Sequence, residues 1–356
     1  MTDMLNVKAK PKMKAFLLHG EKDLRLQDLA LPTVSPGQVM LKVKRAGICG
    51  SDMHYYSHGR IGTFIPKRPF VLGHEFAGEV VSAGDDSSAK LIGKRVTVDP
   101  SIPCGACRHC RNGRYNLCRN MKFYGSASCD PHIDGGFAEY TVAPAANCFT
   151  VPDSLGWGES AMIEPLSVVV HAARRAGDIA GHRVLVTGGG AIGQLMALVA
   201  RAFGASQVVM SDIAAYPREF AVKLGADTAL DATDADFEAQ AIALSYGGFD
   251  FVFEASGSAK ALAQAIAVAE RGATIVQVGT LPTPITVPLN SVMAKELNFI
   301  GSFRFANVFA TSLDLAVSRK VNLTALISAV LPLSDMQKAM DLAIGKDEVI
   351  KIQIEP

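Results

Sequence analysis

The stretch Arg183–Gly204 reads RVLVTGGGAIGQLMALVARAFG: a β-branched apolar run, a cluster of glycines, then a helical pattern. Gly188, Gly190 and Gly193 form G-x-G-x-x-G at that junction. In such a turn the first glycine permits the tight bend, the second lets backbone approach a pyrophosphate, and the third allows close helix–strand packing. The helix that follows presents free N–H groups and a partial positive charge to phosphate. The bare pattern also occurs in ordinary βα turns. Here Asp212 ends the next apolar run, QVVMSDI, at about the spacing of an acid that accepts from a ribose hydroxyl. A carboxylate there favours NAD over NADP. Arg218, six residues on in sequence, is a residue type that accommodates a 2′-phosphate, so NADP stays possible.

The alternation continues beyond the glycines. A helix signal at Pro217–Leu224 is followed by DTALDA, an Ala-rich helix near 235–245, FDFVFEASG, the helical AKALAQAIAVAER and the strand-like ATIVQVG. Strand and helix in that order give βαβ units and a parallel sheet. Before about residue 160 the grammar differs. VMLKVKRAGI, GEVVSAG, KRVTV and FAEYTV are short strand candidates among turns, which predicts a compact β domain with long loops. The C-terminal EVIKIQI is strand-like again and is expected to return to that first domain. With 356 residues and 49% hydrophobic content, the chain has more apolar side chains than one small core takes up. Lys plus Arg is 35 against 34 for Asp plus Glu, so nothing draws it globally to nucleic acid or an anionic membrane. No apolar run approaches the length of a membrane span. The N-terminal MTDMLNVKAKPKMKAF has no apolar leader pattern, which predicts a cytoplasmic protein with reduced thiols.

Cys104, Cys107, Cys110 and Cys118 crowd into fifteen residues. Disulfides do not suit a reducing compartment. The first three cysteines match a ferredoxin-type iron–sulfur run, but the fourth follows after a gap of seven residues and is itself followed by Arg119 instead of proline. Four thiolates satisfy a tetrahedral zinc and leave no open position, so the chemistry is expected elsewhere. Cys49, His74 and Glu75 stand apart from that loop, and Glu164 precedes Pro165, which predicts extended backbone at Glu164. A thiolate, an imidazole and a carboxylate are sound zinc ligands, and three of them leave a site for substrate. Each is equally ordinary alone, as a small buried side chain, a loop histidine or a solvated charge.

Several motifs together carry a resemblance. G-H-E-x-x-G-x-x-x-x-x-G from Gly73 to Gly84 resembles the signature of zinc-containing alcohol dehydrogenases of the medium-chain dehydrogenase/reductase superfamily. Cys49, the four-cysteine loop and the glycine fingerprint follow that family's order over essentially the whole chain. GICGSDMHYY, GRIGTFI, IEPLSVVVHAARR and GSFRF resemble its polyol branch, and KFYGSA with PHIDGGF is similar to L-idonate 5-dehydrogenases. The resemblance implies an α/β protein with a GroES-like, mostly β catalytic domain over 1–164, completed by 305–356, and a Rossmann doubly wound coenzyme domain over 165–304. It implies two zinc ions per chain and NAD or NADP. Cys49 and His74 would hold the catalytic ion, with Glu75 or Glu164 as third ligand, and the four cysteines the structural one. Ser51 and His54 match a proton-relay pair. Tyr55, Phe123 and Arg304 match a polyol pocket, and Arg304 is a group that bonds hydroxyls or pairs with a carboxylate. Gly188, Gly190, Ile192, Gly193, Asp212, Arg218 and Val278 are the expected coenzyme contacts. Tyr216 stands where relatives often carry a cation.

The expected function is oxidation of a secondary hydroxyl of a small-molecule polyol or sugar acid, with L-idonate first and sorbitol or xylitol second, by a homo-oligomer (tetramer or dimer). Two rivals are a non-catalytic zinc and nucleotide-binding protein and a zinc-free reductase. The first would be expected to lack Cys49, His74 or the relay; the second has no need of both metal motifs.

Overall fold

The structure is a computed structural model and describes residues 11–345 and 348–356. Most of the N-terminal stretch read above for a leader, residues 1–10, lies outside the described residues. The glycine fingerprint sits in a six-stranded parallel sheet ordered Thr228–Asp231, Gln207–Asp212, Arg183–Thr187, Phe249–Glu254, Ala269–Gln277, Asn298–Gly301. In sequence order this is 3-2-1-4-5-6, the doubly wound arrangement, and its strand order reverses beside Arg183–Thr187. Helices Ala191–Ala202 and Ile163–Ala176 bury apolar stripes in one core under the sheet, while Phe237–Leu244 and Ala259–Val268 serve a second core on the other face. The apolar run of AKALAQAIAVAER ends as helix at Val268, and Ala269 already begins the next strand.

The first half forms a seven-stranded sheet built around strand Gln38–Gly47. It pairs with Glu75–Ala83, Tyr140–Pro144 and the C-terminal strand Lys351–Glu355, which in turn pairs with Ile327–Pro332. Alternate residues Val39, Leu41 and Val43 are fully buried, as expected of a half-covered sheet. The return of the chain to this sheet comes later than residue 305. Phe305, Val308, Phe309, Ala316 and Leu326 still share the core of helices Ile163–Ala176 and Ala191–Ala202, and Ile327 begins the crossing. Helix Phe309–Val317 carries its apolar face onto Ile163–Ala176, which an assignment by strand pattern overlooks. Among the described residues no helix is long and apolar enough to cross a membrane.

The last strand is a core component. Ile354 pairs with Ala46 and is fully buried. Ile354→Ala is expected to cost about 2–5 kcal/mol in chemical denaturation; a loss under about 1 kcal/mol would remove that strand from the core.

Candidate active site and cofactor cleft

The site lies at one end of the central strand. Gly47 closes the strand, pairs with Glu75 on one side and Gln353 on the other, and Cys49 then caps helix Gly50–His58. Glu75 opens the neighbouring strand, with His74 just before it, and Lys351 opens the C-terminal one. Sheet register therefore brings together residues about 300 positions apart in sequence. A Cβ on Gly47 would lie 2.2 Å from Glu75 Oε2, so only glycine leaves room for that carboxylate. Glu75 forms an ion pair with Lys351, both nearly inaccessible, and Lys351 Nζ also donates to Ile48 O at 2.8 Å.

The Cys49 sulfur, a ring nitrogen of His74 and a Glu75 oxygen lie within 4.8 Å of one another. His74 Nδ1 is buried without a hydrogen-bond partner. Soft sulfur, imidazole and carboxylate in that proximity, with an orphaned ring nitrogen, fit a zinc ion bound by three protein ligands. Burial pushes the Cys49 thiol up to about 12, with Glu75 adding to the effect and Lys351 opposing it. Glu164 is almost fully buried and faces His74, Glu75 and Cys49, yet stands outside the compact three-residue group. Burial drives it well above the ordinary carboxylate range, which favours its protonated form. Its backbone is helical, in the first turn of Ile163–Ala176, and not extended as Pro165 predicts. The amide missing at Pro165 has no partner in a first turn anyway, so proline is tolerated there.

Ser51 and His54 follow Cys49 on the same helix, three residues apart and so on neighbouring positions of one face. Ser51 stands two residues after Cys49 at the start of the helix, and His54 is exposed, with its ring 5.5 Å from that of His58. Tyr55 is buried, and its hydroxyl is held by Ser126 Oγ at 3.2 Å and the Ala127 amide at 3.0 Å, so it buttresses the wall from behind. Phe123 packs its ring 5.5 Å from that of His74 and carries the Arg304 guanidinium 4.2 Å above its face. Among the described residues no carboxylate is within ion-pair distance of Arg304, whose burial lowers its pKa from the usual arginine value.

Sequence reasoning missed Asp52 and Lys351. Asp52 is fully buried, accepts from the amides of Cys49 at 2.9 Å and Gly73 at 3.3 Å, and stands 3.9 Å from His74 Nδ1. It therefore fixes the segments that carry Cys49 and His74 against each other, the place a partner behind metal ligands would take. An acid three residues after a helix N-cap was a legible signal. Lys351 gave only a faint one, a cation inside an apolar strand.

One cleft of about 570 Å³ runs from Cys49 and Glu75 to Gly188, Gly190, Ile192 and Asp212. Gly190 caps the twelve-residue helix Ala191–Ala202, whose free amides face the cleft. A Cβ on Gly193 would lie 1.7 Å from Gly188 O. Asp212 accepts from the amides of Gly189 at 2.7 Å and Ala214 at 2.9 Å. Arg218 is turned to Asp231 at 2.9 Å and to the carbonyls of Asp212 and Ile213. Val278 is half-buried against the core under the sheet and does not line the cleft.

The four loop cysteines are unpaired by disulfides, and their sulfurs cluster, with Cys107 at 3.5 Å from Cys110 and 3.9 Å from Cys118. Zinc–sulfur bonds of about 2.3 Å set tetrahedral sulfurs about 3.8 Å apart, so this cluster fits a closed zinc site. The amide of Cys110 helps lower the Cys107 thiol, while burial raises that of Cys110 itself, so the cluster favours a thiolate at some of its sulfurs and opposes it at others.

Residues 35–153 match the family model described as alcohol dehydrogenase GroES-like domain, and residues 191–318 that described as zinc-binding dehydrogenase. The sorbitol dehydrogenase of Bacillus subtilis is 35% identical over 97% of both chains. The L-idonate 5-dehydrogenase (NAD(P)(+)) of Escherichia coli is 33% identical over 96% of this chain and 98% of its own. The crystal structure of L-idonate 5-dehydrogenase from Escherichia coli superposes with a TM-score of 0.91 at 32% identity, covering 98% of this chain and 99% of that one. The chain belongs to the zinc-containing medium-chain alcohol dehydrogenase family, in its polyol branch. It is a zinc-dependent alcohol or polyol dehydrogenase.

Two measurements check the site. Gly193→Ala overpacks the glycine turn, a change that typically costs about 1–3 kcal/mol, and is expected to weaken NADH binding by about tenfold or more in a fluorescence titration. The Cys49 thiol must lose its proton to bind metal, and at about 12 it is protonated at neutral pH. Zinc affinity at the three-ligand site is therefore expected to rise by about tenfold per pH unit between about pH 6 and 8 in chelator competition. A pH-independent affinity would exclude Cys49 as a ligand.

Proposed function

We propose that the protein oxidises a secondary hydroxyl of a sugar acid or polyol to a ketone, with hydride passing to NAD, and that L-idonate, giving 5-keto-D-gluconate, is the preferred substrate. The observation that carries this reading is the single cleft that joins the Cys49–Glu75 end to the glycine turn and Asp212. Cys49 and His74, with Glu75 or Glu164, are the proposed ligands of one zinc, and the four loop cysteines of a second, structural one. Zinc bound at the first site supplies Lewis acidity that lowers the pKa of the substrate hydroxyl.

The chain's own residues do the rest. Glu75 is shared between that ligand set and Lys351, so its carboxylate is held in place by a fixed cation. Ser51 beside Cys49 receives the hydroxyl proton, and His54, exposed on the same helix, passes it to solvent. The helix that starts at Ala191 receives the pyrophosphate and Asp212 the adenosine ribose. NAD is favoured over NADP because Asp212 faces the cleft while Arg218 is committed to Asp231. Arg304 lies over Phe123 without a carboxylate partner of its own, which supports a substrate that brings one, such as L-idonate. Sorbitol or xylitol is the second reading, since a guanidinium also bonds hydroxyls.

Self-association is part of the proposal. The edge strand Asn298–Gly301 is open in the single chain, and Leu289, Met293 and Phe299 are exposed near it. The seven unpaired cysteines accord with a reducing cytoplasm. A panel of L-idonate, D-gluconate, sorbitol and xylitol with both coenzymes tests the substrate. L-idonate with NAD is expected to give the highest kcat/KM, and a higher value for sorbitol would select the second reading. Cys49→Ser is expected to abolish turnover while leaving NADH binding intact; turnover at the wild-type rate would overturn the mechanism.

A further inference from the structure

Two residues beside the reaction centre, Phe123 and Arg304, are both fastened to the closed cysteine site. Phe123 lies on the short strand Lys122–Phe123, which pairs with Ser101–Ile102 through Ser101 opposite Phe123 and Ile102 opposite Lys122. These two strands are the stem from which the loop 103–121, with all four cysteines, is hung. Arg304 is fastened by hydrogen bonds instead. Asn116 Nδ2 donates to Phe303 O at 2.9 Å, the Asn307 amide donates to the Tyr115 hydroxyl at 2.8 Å, and Asn307 Nδ2 donates to Gly113 O at 2.7 Å. Gly113, Tyr115 and Asn116 all fall between Cys110 and Cys118.

The bonds clamp the segment on both sides of Arg304. Within it Arg304 and Asn307 have φ of 51° and 59°, left-handed conformations that persist in residues with side chains only where the surroundings impose them. The clamp in turn depends on the loop. Its regular structure is one helical turn at Arg108–Arg111 and a 3₁₀ turn at Tyr115–Leu117, too little to be rigid unaided. Four sulfurs drawn to one point supply the stiffness that secondary structure does not.

We infer that the closed cysteine site is a positioning device for substrate recognition: through Tyr115, Asn116 and the Asn307 bonds it sets Arg304 over Phe123, where the pair holds the part of the substrate remote from the reacting carbon. This rests on the reading of Arg304 and Phe123 as substrate-side residues. Tyr115 and Asn116 are positioning residues, and they act on affinity for a polyol or sugar acid, not on the chemical step.

The test uses Tyr115→Phe and Asn116→Ala in the zinc-loaded full chain, with L-idonate or sorbitol, whichever is turned over faster, and propan-2-ol, which offers Arg304 nothing to hold. Each variant is expected to raise KM for the sugar substrate by roughly three- to tenfold, the worth of one hydrogen bond. The calorimetric dissociation constant of that substrate from the enzyme–NADH complex should move in step. The value of kcat, KM for NAD, zinc content and kcat/KM for propan-2-ol should stay at wild-type levels, and the thermal midpoint should fall by no more than about 2–4 °C. Arg304→Ala is the control, expected to raise the same KM by itself and to make Tyr115→Phe silent in the double variant. If Arg304→Ala leaves that KM unchanged, the substrate-side reading fails and the inference with it. If Arg304→Ala raises it while Tyr115→Phe and Asn116→Ala do not, the inference alone is overturned. Equal losses for both substrates, or loss of zinc, would show a general structural support and would also overturn it.

Discussion

A carboxylate and an ammonium group, both withdrawn from water, meet where three strands of the mixed sheet converge. Glu75 and Lys351 are each almost inaccessible, and neither charge is stable there without the other. Removing one partner would leave the other buried and unpaired, at a cost of about 3–5 kcal/mol. The pair thus ties the last strand of the chain to the segment that carries His74. It also explains a backbone detail, because Gly47 must lack a side chain for the Glu75 carboxylate to fit. The site is not an addition to a finished sheet. It is the way in which the ends of Gln38–Gly47, Glu75–Ala83 and Lys351–Glu355 are closed.

The coenzyme half follows a different logic, since it is backbone that does the binding. The strand order reverses beside Arg183–Thr187, so a crevice opens at the carboxyl ends of the parallel strands, and the glycine turn lies in it. Asp212 is held by two amides, and Arg218 is drawn away toward Asp231. The cleft joins this surface to Cys49 and Glu75, so a dinucleotide bound at the glycine turn would extend toward them. Two unlike devices, a buried charge pair and an array of free amides, therefore address one space.

Much of this was legible in the residues. The glycine spacing and the alternation of periods identify the parallel sheet, because a period of 2 and one of 3.6 are distinct and local. The four-cysteine spacing predicts a compact sulfur cluster for a similar reason: the four residues lie on one short loop, and the structure brings their sulfurs together. The group Cys49, His74 and Glu75 needed resemblance to a family to read as a candidate metal site, since Cys49 is far from the other two in sequence and each is ordinary alone. Glu164 shows where a local rule gave way. Proline biases its predecessor toward extended backbone, but the first turn of Ile163–Ala176 has no use for the missing amide, so helix prevailed. The segment that precedes the strand opening at Ile327 shows another. Helix Phe309–Val317 belongs to the core beneath the parallel sheet by its apolar face, and no strand pattern reports that.

What the sequence determined by itself was the kind of elements, the glycine turn, the closed sulfur site and the family. The first three depend on residues close together in sequence, where spacing alone fixes geometry, and the family on the order of such local motifs along the chain. Only the tertiary structure decided that Asp52 braces the Cys49 and Gly73 segments, that Lys351 answers Glu75, and that Arg304 rests on Phe123 beside the cysteine loop. Those contacts join residues tens to hundreds of positions apart. They arise from strand register and from the expense of leaving a buried charge or donor without a partner, and neither is written in any local pattern.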